Sequence, residues 1–153
     1  MKNKINLLLF CIFFSIIANA QKQKVSTTAE VSYLGKSEEG TIYISSCGYN
    51  KKDKKTYLQA VRNAFETLIF RGIPGSEVNV PFVENEYEVK EKNKKYFDDL
   101  IDGGRYKSFI TYISESEPTK EFKSKKVCLQ MKINQVALRK DLEQNQVIRK
   151  FGF

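Results

Sequence analysis

One helical pattern, placed between segments of β type, restricts the fold of this chain more than any other feature. Over residues 56–70 the apolar side chains recur every three or four positions, at Leu58, Val61, Phe65, Leu68 and Ile69. This spacing places them along one face of an α-helix, so the segment predicts an amphipathic helix that packs on a core. The small side chains of Ala60 and Ala64 leave a narrow surface where another element can approach closely.

The flanking residues predict where this helix begins and ends. Asp53 or Thr56 is suited to cap its first turn, and Thr56 stands three residues before Gln59, which is the spacing of a capping box. Arg71-Gly72, followed by Pro74, predicts the end of the helix.

Segments rich in β-branched and aromatic residues lie before and after the helix. Residues 41–49 predict a strand, and residues 31–34 a shorter one before it. Gly48 indicates a bend or a close approach of another backbone. Residues 106–115 and 125–133 predict two strands that pair as an antiparallel hairpin with a long loop.

The segments between these elements give weaker patterns. Residues 78–83 are apolar but contain Pro81, so they predict an edge strand at most. Residues 84–95 are charged and are expected to be exposed. Apolar pairs within residues 96–101 predict one or two helical turns, which Gly103-Gly104 ends.

A last helix is predicted over residues 135–144. Asn134 is suited to cap it, Leu138 and Leu142 form an i, i+4 pair, and Asn145 is suited to a left-handed exit. Together the patterns predict an α+β fold in which two or three helices cover one face of a small antiparallel sheet, in the order β-α-α-β-β-α.

The first 20 residues have the features of a secretory signal peptide. Lys2 and Lys4 precede an apolar run over residues 7–17, and Ala18-Asn19-Ala20 has the small-residue pattern of a cleavage site. The run is shorter than the roughly 20 residues that span a bilayer. We expect cleavage after Ala20, a periplasmic or secreted protein, and no transmembrane segment after cleavage.

The mature chain is then expected to hold a polar leader and the first short strand in residues 21–40, and a single α+β domain in residues 41–153.

Cleavage removes two lysines and leaves 24 basic and 18 acidic residues, a net charge of +6. The lysines cluster at residues 51–55, 90–95 and 120–126, in runs that also contain acids. We interpret these runs as solvated loops, with binding of a polyanion as the alternative. Nucleic acid is not an expected partner of an exported protein.

Composition excludes much familiar catalysis. The chain has no His and no Trp, which removes imidazole bases and His metal ligands. No nucleophile-elbow, phosphate-loop, dinucleotide or calcium-loop motif is present. Asp98 and Asp102 share a face of the predicted short helix, so a hydrolase with paired carboxylates is a remote alternative. We expect no enzymatic activity, no metal and no cofactor.

Two cysteines remain after cleavage, Cys47 and Cys128, in a compartment where disulfides persist. Alternation places Cys128 on the face of its strand that also carries Gln130 and Lys132. The two cysteines can form a disulfide if their strands are neighbours in a suitable register, and only geometry decides this.

Two groups of aromatic residues are candidate contact sites. Tyr43 and Tyr49 share a strand face with Cys47 and form a ligand platform if that face is uncovered. Phe151 and Phe153 end the chain, and leaving them in water would forgo roughly 1.5–3 kcal/mol each. These two either close the core of this domain or insert into a partner.

The chain resembles the amino-terminal region of the flagellar assembly factor T and related small lipoproteins, and also uncharacterised secreted proteins of gut anaerobic bacteria. The resemblance lies first in the strand end Ser46-Cys47-Gly48-Tyr49 and in the Ala-spaced helix over residues 60–65. It lies also in the later strand–strand–helix pattern, over residues 106–110, residues 127–133 and Ala137-Leu138-Arg139. It implies an α+β domain, usually without enzymatic activity, that assembles or supports structures of the cell envelope.

These observations favour a non-catalytic interaction or assembly module of the envelope. Its partner would be an envelope protein or a second copy of the chain, contacted through the aromatic tail and the basic loops. The alternative is a module that binds a small molecule or a glycan on the face of Tyr43 and Tyr49.

Overall fold

The computed structural model describes residues 30–121 and 123–150. Two strands come first, β1 (Val31–Lys36) and β2 (Thr41–Asn50), followed by the helices α1 (Asp53–Phe70), α2 (Glu86–Lys92) and α3 (Lys94–Ile101). A 3₁₀ helix (Arg105–Phe109) leads into β3 (Ile110–Glu115), β4 (Thr119–Glu121), β5 (Ser124–Asn134) and α4 (Gln135–Gln144). The α+β class is therefore confirmed.

The strands form an antiparallel sheet in which β5 has a central place. The order is β1-β2-β5-β3, and β4 pairs with the part of β5 that β3 leaves open. Thr41 lies opposite Asn134 and Asn50 opposite Lys125, so β2 and β5 pair over their whole length. The expected hairpin is present as β3 and β5, with β4 inside its loop.

Alternation along the strands separates two faces of the sheet. The inner face contributes buried apolar side chains to the core, which are Ile42, Ile44, Val127, Leu129, Met131 and Ile133. Helix α1 lies against this face, and α4 adds Leu138 and Leu142 to the same cluster. The apolar stripe of the sequence is confirmed, since Val61, Phe65, Leu68 and Ile69 of α1 are buried.

Polar contacts hold α1 very close to β2. The Ser46 hydroxyl donates to the Ala60 carbonyl at 2.8 Å, and the Asn63 amide donates to the Cys47 carbonyl at 2.8 Å. A Cβ on Gly48 would lie 2.2 Å from the Thr56 carbonyl oxygen. The close approach predicted for Gly48 is therefore confirmed, and Ala60 lies within it.

Three expectations about local structure were wrong. Neither Asp53 nor Thr56 caps α1, because Lys52 is the N-cap residue and gives no side-chain cap. The Thr56 hydroxyl instead donates to the carbonyls of Asn50 and Lys52. The left-handed residue after α4 is Gln146, with φ of 59°, because Asn145 continues the helical hydrogen bonding to Asp141.

The third error is the start of the strand predicted for residues 106–115. Its first part is the 3₁₀ helix, which buries Tyr106 and Phe109 on one side against Phe65. In a 3₁₀ helix, residues three apart lie on the same side. Burial of these two rings therefore outweighs the β preference of the segment, and β3 begins only at Ile110.

The chain between α1 and α3 also differs from expectation. Residues 78–83 form no strand, since the Phe82 and Val83 amides both donate to the Ile69 carbonyl and tie this loop to the end of α1. Residues 84–95 are exposed as expected, but they include α2. The Asn85 side chain accepts from the Glu88 amide and caps that helix. Helix α3 confirms the short helix predicted there.

Candidate functional site

The face of the sheet that points away from the helices is the main candidate surface, and we call it the outer face. None of its side chains belongs to the buried core cluster of the described residues. Its members, identified by strand register, are Ser32, Tyr43, Ser45, Cys47, Tyr49, Tyr112, Ser114, Lys126, Cys128, Gln130 and Lys132.

Two tyrosines and a lysine form a cluster at one end of the outer face. Lys132 of β5 is the register partner of both Tyr43 of β2 and Tyr112 of β3. The Lys132 Nζ atom lies 6.0 Å from the ring centroid of Tyr43 and 5.9 Å from that of Tyr112. The two rings are 6.4 Å apart and meet edge to face. The ammonium group thus lies beside a pair of aromatic rings, at a similar distance from each.

A row of uncharged polar side chains crosses the sheet beside this cluster. Ser32, Ser45, Gln130 and Ser114 follow one another across β1, β2, β5 and β3 as register partners. The Tyr43 hydroxyl donates to the Gln130 side-chain oxygen at 2.6 Å and links the row to the cluster. The three serines of the row supply hydroxyl groups to the surface.

A disulfide joins the middle of β2 to the middle of β5 on the same face. Cys47 and Cys128 are register partners with Cα atoms 4.0 Å apart. The strands are thus neighbours in the register that a bridge requires. The bridge borders the serine row on the side away from Lys132.

The far end of the outer face carries Tyr49, Lys126 and two acids. Lys126 Nζ lies 5.2 Å from the Tyr49 ring centroid, and it binds Glu30 at 2.9 Å and Glu121 at 3.3 Å. Hydrogen bonds from Tyr49 and Lys126 hold the pKa of Glu30 below its usual value. Burial and the hydrogen bond to Glu30 raise the pKa of Tyr49. This lysine is therefore neutralised by its neighbours.

The structure places both predicted platform tyrosines on the outer face, but the disulfide row lies between them. Tyr43 belongs to the Lys132 cluster and Tyr49 to the Lys126 cluster. Tyr112 and Ser114 were missed, because their place beside Lys132 and Gln130 depends on β5 lying between β2 and β3. Alternation in the segment 110–115 was the available signal, but an irregularity between Ile110 and Tyr112 shifts the register.

The paired carboxylates do not form a common site. Asp98 is bound by Lys94 within α3, and Asp102 is bound by Arg62 at 2.8 and 3.0 Å. The expected face with two free carboxylates is therefore absent. Among the described residues no group of three or more His, Cys, Asp or Glu is placed to hold a metal.

The lysine-rich runs are not all loops. Residues 90–95 lie within α2 and α3, and residues 120–126 run from β4 into β5. Many of their charges are paired, as in Lys90 with Glu66 and Lys125 with Asp53. The expectation of loops was therefore wrong for these two runs, and in the run at residues 51–55 the helix α1 already begins at Asp53.

A second surface is an open groove of about 880 Å³ near the end of the described chain. Its apolar lining comes from the loop after α1, from α2 and from the segment after α4, and includes Val80, Phe82, Val83, Val89 and Ile148. Val80 is 69% exposed. The predicted contact residues Phe151 and Phe153 lie outside the described residues, directly after the groove-lining Lys150.

Comparisons with known proteins found no matching family model, curated protein or solved structure. The resemblance to the flagellar assembly factor T region therefore stays a prediction. Within residues 30–121 and 123–150, no helix has both the length and the apolar character needed to cross a membrane.

Proposed function

We propose that this protein is an exported, non-catalytic domain of the cell envelope that binds a polar ligand, a glycan, on its outer face. The observation that carries the proposal is the Tyr43–Lys132–Tyr112 cluster beside the row of serines, on a face that no helix of the described residues covers. Helices cover the inner face, so the outer face is the side of the sheet free to meet a ligand.

The chemistry of the outer face favours a saccharide over a dry protein interface. Tyrosine rings stack on the C–H faces of sugars, and the hydroxyls of Ser45 and Ser114 can exchange hydrogen bonds with sugar hydroxyls. Strands β2, β5 and β3 place no Val, Leu or Ile on this face. Ser and Lys are depleted in the cores of protein interfaces, whereas both occur here.

The test is binding of soluble hexasaccharides, neutral and acidic, to the exported and oxidised protein, followed by backbone amide shifts in NMR. We expect shifts at Ser45, Gln130 and Ser114. The variant Tyr112→Ala should lose most of the affinity, because it removes one of the two stacking rings. The matched control Tyr87→Ala alters an exposed tyrosine of α2 and should bind as the wild type does. Shifts confined to other surfaces, or none with any saccharide, would contradict the proposal.

A second candidate function, assembly with an envelope protein, is favoured by the apolar groove. Exposed Val80, half-buried Phe82 and Ile148 lie where the chain leads into Phe151 and Phe153. A partner would then contact the groove and the aromatic tail together.

This second candidate is tested by a photo-crosslinker in place of Val80, with one in place of Tyr87 as the control. We expect one recurrent partner, or a second copy of the chain, from the Val80 position alone. Deletion of residues 149–153 should remove this product while the melting temperature stays unchanged. If the deletion unfolds the domain, the tail is part of the core and the candidate fails.

A further inference from the structure

We propose that the outer face recognises an acidic saccharide, with Lys132 pairing with the carboxylate of a uronic acid unit. This inference rests on the proposed function and adds the charge of the ligand to it. Two lysines of the outer face, Lys126 and Lys132, both lie near tyrosine rings but differ in their acidic partners.

Lys126 and Lys132 both project from β5 onto the outer face, and both lie over tyrosine rings. Lys126 is bound by two carboxylates, Glu30 and Glu121. Lys132 has no carboxylate partner among the residues that the structure describes, and its neighbours are Tyr43 and Tyr112. One stacked cation is therefore neutralised within the fold, and the other is left to a ligand.

Among the described residues, no acid lies beside Lys132 on this face. Its neighbours across the strands are the two tyrosines, and the next row consists of Ser45, Gln130 and Ser114. The acids of the outer face, Glu30 and Glu121, are at the opposite end and bind Lys126. A negative ligand group beside Lys132 thus meets a cation and hydroxyl donors without a competing charge.

The position of Lys132 relative to the rings favours a carboxylate that is attached to a sugar. The ammonium lies at a similar distance from the rings of Tyr43 and Tyr112, which meet edge to face. The row that contains Ser45 and Ser114 lies two residues away on each strand. A uronate can place its carboxylate on Lys132, its ring face against a tyrosine, and its hydroxyls over the serines. An acidic peptide offers the same charge but no hydroxyls for that row.

The experiment compares a galacturonic acid hexamer with its methyl ester, which has the same ring and no charge. Binding to the exported, oxidised protein is measured by calorimetry at low and high salt. We expect the acid to bind about fivefold more tightly than the ester, the size of a partly exposed ion pair. This preference should shrink at high salt.

Variants test whether Lys132 causes the preference for the acid over the methyl ester. Lys132→Gln should bind acid and ester equally, Lys132→Arg should keep the preference, and the control Lys126→Gln should keep it as well. A wild type that binds the acid and the ester equally overturns the inference but leaves the proposed function standing. The inference is also overturned if the preference for the acid is lost in Lys126→Gln alone. Absence of binding by every saccharide refutes the proposed function itself. If polyglutamate binds through Lys132 and the hexamer does not, the saccharide is the wrong ligand class.

Discussion

Gly48 allows α1 to lie directly on β2. The space that a side chain would need at this position is filled by the backbone of α1, with the Thr56 carbonyl and the Ala60 amide nearest. Ser46 and Asn63 then satisfy backbone carbonyls across the contact. One missing Cβ thus sets the distance between the helix and the sheet.

Gly48→Ala is expected to lower the free energy of unfolding by about 3 kcal/mol, because overpacking here pushes against backbone and not against a movable side chain. Urea denaturation of the two proteins measures the change. Ser45→Ala, on the outer side of the same strand, serves as the control and should change stability by less than about 0.5 kcal/mol. A Gly48→Ala protein as stable as the control would contradict the contact.

Tyr96 connects α3 to α4 and to the 3₁₀ helix. Its hydroxyl donates to Asp141 at 2.6 Å, and Arg105 binds the same carboxylate and stacks on the Tyr96 ring. Burial, followed by the hydrogen bond to Asp141, raises the pKa of Tyr96 above its usual value. There is therefore a range of alkaline pH in which the Tyr96 hydroxyl is protonated in the folded protein but ionised in the unfolded chain.

This difference in pKa predicts an alkaline loss of stability. Above a pH of about 10 the unfolded state loses the Tyr96 proton and the folded state keeps it, so the free energy of unfolding falls as pH rises. Tyr96→Phe should show a shallower fall in denaturation curves recorded between about pH 9 and 11, and about 1 kcal/mol less stability at neutral pH. Tyr87→Phe, which alters an exposed ring, should follow the wild type. A slope unchanged by Tyr96→Phe would refute this account.

At the scale of elements, β5 organises the molecule. It pairs with β2 along one side and with β3 and β4 along the other, so it connects the segment before the helices to the segment after them. The disulfide from Cys47 to Cys128 spans 81 residues of sequence and crosses this pairing. It restricts the unfolded chain across α1, α2, α3 and β3.

Removing the bridge in the double variant Cys47→Ser/Cys128→Ser is expected to lower the free energy of unfolding by about 4.5 kcal/mol, the loop-closure value for a loop of this length. Urea denaturation with and without reductant measures it. The reductant should destabilise the wild type by a similar amount and leave the double variant unchanged. Equal stability of oxidised and reduced wild type would contradict the prediction.

At the scale of the whole molecule, the fold is one-sided. The helices collect on the inner face, and the outer face is left with tyrosines, serines and two lysines. The groove near Ile148 lies beside the loop that follows α1. The two proposed functions therefore use different surfaces and can be separated by variants of each.

The signal peptide expected from the sequence and the proposed envelope location predict that the protein is exported. We expect the protein recovered from the source cells to begin at Gln21 and to carry an oxidised Cys47–Cys128 pair. Intact-mass measurement before and after reduction and alkylation checks both points. A product that keeps residues 1–20 and has free thiols at Cys47 and Cys128 would contradict export.

Much of the element content followed from local patterns. The apolar stripe of α1, the alternation in β2 and β5, and the Asn134 cap of α4 are short-range features that a linear chain displays. Alternation also separated Gln130 and Lys132 from the buried Leu129 and Met131 before any contact was known. These are consequences of helix and strand periodicity.

Tertiary packing decided the remainder. Residues 105–109 form a 3₁₀ helix because this conformation buries Tyr106 and Phe109 against Phe65. Residues 78–83 form no edge strand because the Phe82 and Val83 amides donate to the Ile69 carbonyl. The place of β5 between β2 and β3 brought Tyr43, Lys132 and Tyr112 together and set Cys47 opposite Cys128. Local patterns specify which side of a strand a residue occupies, whereas its neighbours across the sheet depend on strand order and register, which arise only when distant segments pack.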